Sequence, residues 1–178
     1  MDPNKIFSNP MLCGTIELMK AENTPEHRKM FIDEMIRGRY LSPVVITPTP
    51  TPDAQGRFKI TAEHKVQFPM LSTKDDQKFF MAFTDYDEFK KWNPAENQQT
   101  FAMTFDNYAE MLLRKDKDGN LPPALGFVIN PLSSNVMVSR ELVSQIVASR
   151  VMKQGMPIPP TAQAAPQEGN DEAEQSAE

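Results

Sequence analysis

The residues that could do chemistry are few and far apart. Cys13 is the only cysteine, and His27 and His64 are the only histidines. A Cys–His pair would need long-range folding to bring nucleophile and base together. Cys13 lies between Leu12 and Gly14 in a helical pattern, which reads as a small packed residue. His27 falls in the first turn of a helical pattern, and His64 sits at a hairpin-turn position in Glu63-His64-Lys65. Neither has a second His or Cys at metal-ligand spacing, so no metal is expected. Asp75-Asp76 and Asp85-Tyr86-Asp87-Glu88 could supply paired carboxylates for acid–base work. The first pair reads as a turn. The second crowds a helix start, where the helix dipole already accounts for acids. Lys90-Lys91-Trp92 sets an aromatic beside two bases, a pairing that stacks a base or a peptide, or packs a helix onto a sheet. Packing is the expected role of Trp92. Lys115-Asp116-Lys117-Asp118-Gly119-Asn120 suggests a calcium loop. Aligning Gly119 with the required glycine puts Arg114 and Leu125 at ligand positions that need oxygen, so a polar turn is expected instead. No phosphate-cradling glycine loop and no G-x-S-x-G elbow occurs, and no cofactor is expected.

The elements that must position these residues follow from periodicity and punctuation. Asn9-Pro10 and Thr24-Pro25 are helix starts, with apolar stripes Leu12, Ile16, Met19 and Met30, Phe31, Met35, Ile36. They predict helices over roughly 10–20 and 25–37. Tyr40 to Ile46 reads as an edge strand, and the alternating Thr-Pro of 47–52 as a stiff polyproline loop. Strand patterns follow at Arg57–Ala62 and Val66–Met70. Phe79-Phe80-Met81-Ala82-Phe83 is apolar on both faces and belongs in a sheet centre. Thr84 is the expected cap of a short helix ending at Asn93-Pro94, with Phe89 and Trp92 on one face. A strand at 100–104, a helix at 105–114, strands at 125–129 and 136–138, and a helix capped by Ser139 complete the pattern. The fold class is α+β. A mostly antiparallel or mixed sheet of about five or six strands packs with two N-terminal helices and one C-terminal helix.

Of the 24 acids, five (Glu168, Asp171, Glu172, Glu174, Glu178) follow Gly155 with no base among them. The other 19 balance the 19 lysines and arginines. The net charge of −5 therefore belongs to the tail, and the body is neutral, without the basic stripe that nucleic-acid binding needs. The expected organisation is a domain over 1–154 and a disordered acidic tail over 155–178, too poor in apolar residues to offset its ordering entropy. No apolar run reaches membrane-spanning length, and Met1-Asp2-Pro3-Asn4-Lys5 does not resemble a secretory signal. The lone cysteine suits a reducing compartment, so a cytoplasmic protein is expected.

Taken in order, Asn9-Pro10-Met11-Leu12, Phe31 and Met35, Tyr40-Leu41-Ser42-Pro43-Val44 and Phe68-Pro69-Met70-Leu71 lead to Phe83-Thr84-Asp85, Trp92 and Gly126-Phe127-Val128-Ile129-Asn130-Pro131. This series resembles the N-terminal domain of the bacterial SseB (enhanced serine sensitivity) family over roughly residues 9–150. The resemblance implies a bacterial cytosolic α+β domain with no established catalytic activity. It implies Phe83, Thr84, Trp92, Asn130 and Pro131 as characteristic positions and hence as candidate binding residues. Members can carry a second, C-terminal domain, where this chain has the acidic tail. The leading expectation is a non-enzymatic interaction or regulatory module with a protein partner. The alternative is a small-molecule binder at the sheet edge, for an amino acid or related metabolite at which the family's serine phenotype hints. An enzyme comes third.

Overall fold

The computed structural model describes residues 7–51, 59–94 and 99–153. The expected acidic tail at 155–178, with Met156 and Ile158, lies outside them. Two helices open the described chain, α1 (Pro10–Ala21) and α2 (Pro25–Arg37), each with proline in its first turn. The Thr24 hydroxyl caps α2 by accepting from the His27 N–H at 3.1 Å. Gly38 follows as its C-cap, in extended rather than left-handed conformation.

Among the described residues there are eight short strands. They are β1 (Arg39–Pro43), β2 (Val45–Thr47), β3 (Lys65–Gln67), β4 (Met70–Ser72), β5 (Lys78–Ala82), β6 (Thr100–Thr104), β7 (Ala124–Ile129) and β8 (Val136–Ser139). Three helices are interleaved: α3 (Tyr86–Trp92), α4 (Phe105–Leu113) and α5 (Arg140–Lys153). The main sheet runs β4-β5-β7-β8, and its β5–β7 pair is parallel while the other two pairs are antiparallel. β1–β6 and β2–β3 are separate antiparallel ribbons. A reciprocal backbone bridge, Leu41 to Phe83 with both bonds at 2.9 Å, joins β1 to the end of β5. The expected single strand from Tyr40 to Ile46 is therefore two, divided at Val44, because each half pairs with a different partner. The expected strand at Arg57–Ala62 is not formed over its described part. Lys59–Ala62 is unpaired backbone leading into a turn closed by the His64 N–H on Thr61 O.

Alternation along β5 divides the core. Phe80 and Ala82 face the larger cluster, with Leu12 and Ile16 of α1, Phe31 and Met35 of α2, Phe105, Tyr108 and Leu112 of α4, and Val143 and Ile146 of α5. Tyr108 stacks on Phe127 with ring centroids 4.7 Å apart, and Tyr40 meets both rings edge-on. The Tyr40 hydroxyl donates to Met35 O at 2.7 Å, filling a carbonyl that the end of α2 leaves open. Met81 and Phe83 turn to the opposite face, where α3 covers them with Phe89.

The short α3 needs such anchors, since an isolated helix of this length does not persist in water. Its deep anchor is Phe89, 3% exposed, while Trp92 is half-buried, 5.8 Å from the Phe83 ring and 6.0 Å from that of Phe89. The expected packing role of Trp92 is thus shared, and Phe89 carries the larger part. Phe89→Ala should cost about 3–5 kcal/mol and Trp92→Ala somewhat less, because its indole keeps part of its surface in water. Urea denaturation of the two variants tests this, and the reverse ranking would contradict it. The cap of α3 also differs from expectation. Asp85 takes the position and accepts from the Glu88 N–H at 2.8 Å, because it lies one residue nearer the helix and offers a carboxylate. Thr84 is used elsewhere.

The Lys115–Asn120 loop is a polar turn. The Asp116 carboxylate accepts from the N–H groups of Asp118 (2.9 Å) and Asn120 (2.8 Å), and Gly119 supplies the left-handed φ of 83°. The bond from the Asn120 N–H does most to hold this carboxyl below its ordinary pKa.

Candidate functional site

β5 and β7 run in the same direction, so their carboxyl ends finish side by side at Thr84 and Asn130. Both residues are buried and polar, at 0% and 3% exposure, and each must find partners inside the protein. They find each other. The Thr84 N–H donates to Asn130 Oδ1 at 3.0 Å, and Asn130 Nδ2 donates to Thr84 Oγ1 at 2.8 Å. Thr84 Oγ1 passes its own hydrogen to Asp85 Oδ2 at 2.8 Å. Asn9 closes the group from the start of α1. Its Nδ2 donates to Thr84 O (2.6 Å) and Arg39 O (2.7 Å), and its Oδ1 accepts from the Arg39 N–H (3.1 Å). Asn9 therefore stands at the N-cap position without capping. An amide has donors as well as an acceptor, and two carbonyls claim the donors here.

Asn130 has a φ of 47°, and Asn135 one of 49°. Asparagine tolerates this left-handed region better than other non-glycine residues. The pair frames a tight turn in which Asn130 O accepts from the N–H groups of Ser133 (3.1 Å) and Asn135 (2.9 Å). Pro131 lies in this turn, half-buried.

A cavity of about 360 Å³ opens between this turn and α1. Cys13, Ile16, Glu17 and Lys20 line one wall at the i, i+3, i+4, i+7 spacing of a single helix face. Glu88, Asn130, Ser133 and Ser134 line the other. The Glu88 side chain is only 14% exposed and is held by the Ser133 hydroxyl and by Lys91. The Ser134 hydroxyl is buried without a hydrogen-bond partner. A larger cleft of about 550 Å³ lies at the other end of the sheet, on Phe68, Met103, Met111 and Leu121. None of the candidate binding residues lines it.

Of those candidates, Thr84 and Asn130 meet directly, Pro131 shapes the turn, and Phe83 and Trp92 pack together under α3. Only Asn130 reaches the cavity wall. Glu88 stands out in the sequence only as one of the helix-start carboxylates, and Ser133 does not stand out at all. A carboxylate in a helix's first turn looks like dipole decoration, and a turn serine carries no periodic signal. Lys90 lies 5.0 Å from the centre of the Tyr86 ring rather than on Trp92. Neither histidine lines the cavity, so the Cys–His pairing is not assembled. Among the described residues no three His, Cys, Asp or Glu side chains are grouped closely enough to hold a metal ion, and no helix is long and apolar enough to cross a membrane.

The chemistry of Cys13 follows from its surroundings. Burial pushes its thiol pKa up, as do the charges of Asp85, Glu88 and Glu17, while a hydrogen bond with Thr84 pulls the other way. The sulfur is therefore a neutral thiol at neutral pH, a poor nucleophile. Alkylation by iodoacetamide at pH 8 should run markedly slower than that of a free thiol, and its rate should still climb with pH where that of the free thiol has levelled off. A mass-spectrometric time course reads this. Cys13 reacting as fast as glutathione at pH 8 would show that the carboxylates do not act on it.

A family model, the SseB protein N-terminal domain, matches residues 15–145, well over half of the chain. The chain belongs to the SseB N-terminal domain family. No curated protein and no solved structure matches it. The SseB match contains Thr84, Asp85, Glu88, Asn130 and Ser133, but begins after Asn9 and Cys13. In this SseB domain the latch between the two strand ends thus lies within the family unit, and α1 contributes its first residues from outside it.

Proposed function

We propose that this SseB-family domain is a non-catalytic recognition module of the bacterial cytosol, and that it holds a small polar metabolite in the cavity at the carboxyl ends of β5 and β7. The observation that carries this reading is the cavity itself. It lies beyond the ends of the molecule's parallel strand pair, the place where open α/β sheets take their ligands. Its volume falls within the range of small-molecule sites. Its walls offer hydroxyls, a thiol, two carboxylates and the Lys20 ammonium beside the apolar Ile16. The same groups support a non-catalytic reading. The thiol is held neutral, and the carboxylates of Asp85 and Glu88 are already engaged by neighbours.

A thermal-shift screen over polar metabolites tests the reading, since a ligand that binds only the folded state raises Tm by mass action. The expected hit should be lost in Ser133→Trp, which fills the cavity mouth from an exposed position. A screen without hits, or a hit indifferent to Ser133→Trp, would remove this site from consideration.

A second reading, docking of a protein partner, is favoured by exposed apolar side chains beside the same turn. Leu132 is 62% and Met137 57% exposed, and β8 is an edge strand of its sheet. Partner capture abolished by Leu132→Glu and Met137→Glu, yet untouched by Ser133→Trp, would move the function there.

A further inference from the structure

The charges around the cavity are not symmetric, and they select among polar ligands. Two carboxylates line it from opposite walls, Glu17 on α1 and Glu88 on α3. Each is countered by a lysine of its own helix three residues on, Lys20 at 3.6 Å and Lys91. Both lysines are well exposed, 44% and 54%, so they can turn into water at little cost. Glu88 cannot follow, because it is 14% exposed and tied to Ser133. Cys13, on the same wall, sits in the field of these carboxylates. After burial, the charges that push its thiol up are Asp85, Glu88 and Glu17, all acids.

We infer that the cavity takes a small organic cation, a primary ammonium compound whose –NH3+ group binds Glu88 and displaces Lys91, with Glu17 closing the mouth. This rests on the small-ligand reading above and narrows it to one charge class. An ammonium brings three donors. The cavity offers the two carboxylates and the Ser133 and Ser134 hydroxyls, the last of which has no partner among the described residues. An anion would meet one lining ammonium, Lys20, against the carboxylates of Glu17 and Glu88. A bare metal ion lacks its ligand set among the described residues.

The test uses three probes of one size, ethanolamine, ethylene glycol and glycolate, titrated into the full chain at neutral pH and low salt. The amide NMR signals of Cys13, Ser133 and Ser134 are followed. Ethanolamine alone should give saturable shifts there. Glu88→Gln, which keeps the volume and a bond to Ser133, should weaken it about tenfold through the lost charge. Lys91→Ala removes the internal competitor and should tighten ethanolamine about two- to threefold, an improvement that a merely structural role for Lys91 would not produce. Equal or better binding of glycolate or ethylene glycol, or weaker ethanolamine binding in Lys91→Ala, overturns the ammonium assignment and leaves the small-ligand site standing. No saturable shift from any probe also overturns the assignment. The thermal screen with Ser133→Trp then decides separately whether the site itself survives.

Discussion

Gly126→Ala is expected to cost about 3 kcal/mol or more, at the upper end of overpacking effects, although it adds one methyl group. Gly126 in β7 pairs with Ser139 in β8. A Cβ at Gly126 would lie 2.1 Å from Val138 O and 3.0 Å from the Ser139 Cα. Those are backbone atoms, so no side chain can rotate out of the way, and β8 must separate from β7. With it goes Val138, wholly buried, and the seat of α5 with Val143 and Ile146. Gly14→Ala is the matching control. It lies inside α1, nothing stands within 4 Å of its added methyl, and helix propensity predicts a gain of about 1 kcal/mol. Urea denaturation of both proteins gives two shifts of opposite sign. A Gly126→Ala protein as stable as the parent would mean that β8 does not approach β7 this closely.

The protein should lose stability steeply in alkali. Tyr40 and Tyr108 are both 0% exposed, and burial, the foremost cause in each, pushes their phenol pKa values far above the ordinary value. A charge on Tyr108 further opposes ionisation of Tyr40. An unfolded tyrosine releases its proton near pH 10. Above that pH the unfolded chain binds fewer protons than the folded one, so unfolding free energy falls as pH rises. The slope is about 1.4 kcal/mol per pH unit for each tyrosine, or about 2.7 for the pair. Below pH 10 the two groups contribute no pH dependence. Tyr108→Phe should halve the slope. At neutral pH it should cost only about 1 kcal/mol, since Met81 O keeps the Ser42 hydroxyl at 3.2 Å after losing that of Tyr108. Denaturation midpoints between about pH 8 and 11 measure it. A flat profile across that range would mean the two rings are hydrated.

Some of this architecture is legible in the sequence because the determining signal is local. The run Phe79–Phe83 is apolar on both faces, and β5 indeed lies between β4 and β7. Thr24 caps the helix that its Thr-Pro start announces. Where a partner decides, the reading fails. Tyr40–Ile46 looks like one strand, but β6 and β3 compete for its halves. Lys59–Ala62 alternates as a strand should, yet no described strand pairs with it and Ile60 is 42% exposed. The site divides in the same way. Thr84 and Asn130 stand out in the order of motifs, but their mutual bonds span 46 positions and no spacing rule reaches that far. Asn9 and Asp85 are ordinary cap candidates by type, and only the assembled strand ends determine which of them caps.

The parallel pairing of β5 with β7 also governs what happens while the chain is being made. β4 reaches β5 through a five-residue turn and can pair at once, but the other edge of Phe79-Phe80-Met81-Ala82-Phe83 has no partner until Phe127 to Ile129 leave the ribosome. At translation rates of about 5–20 residues per second, that delay lasts several seconds. For that time the nascent chain carries a charge-free, aromatic strand edge of the kind that recruits other chains. The emerging protein is thus a natural client for a holding chaperone, and slowing the ribosome between residues 84 and 124 should lower its soluble yield more than slowing it after Ile129.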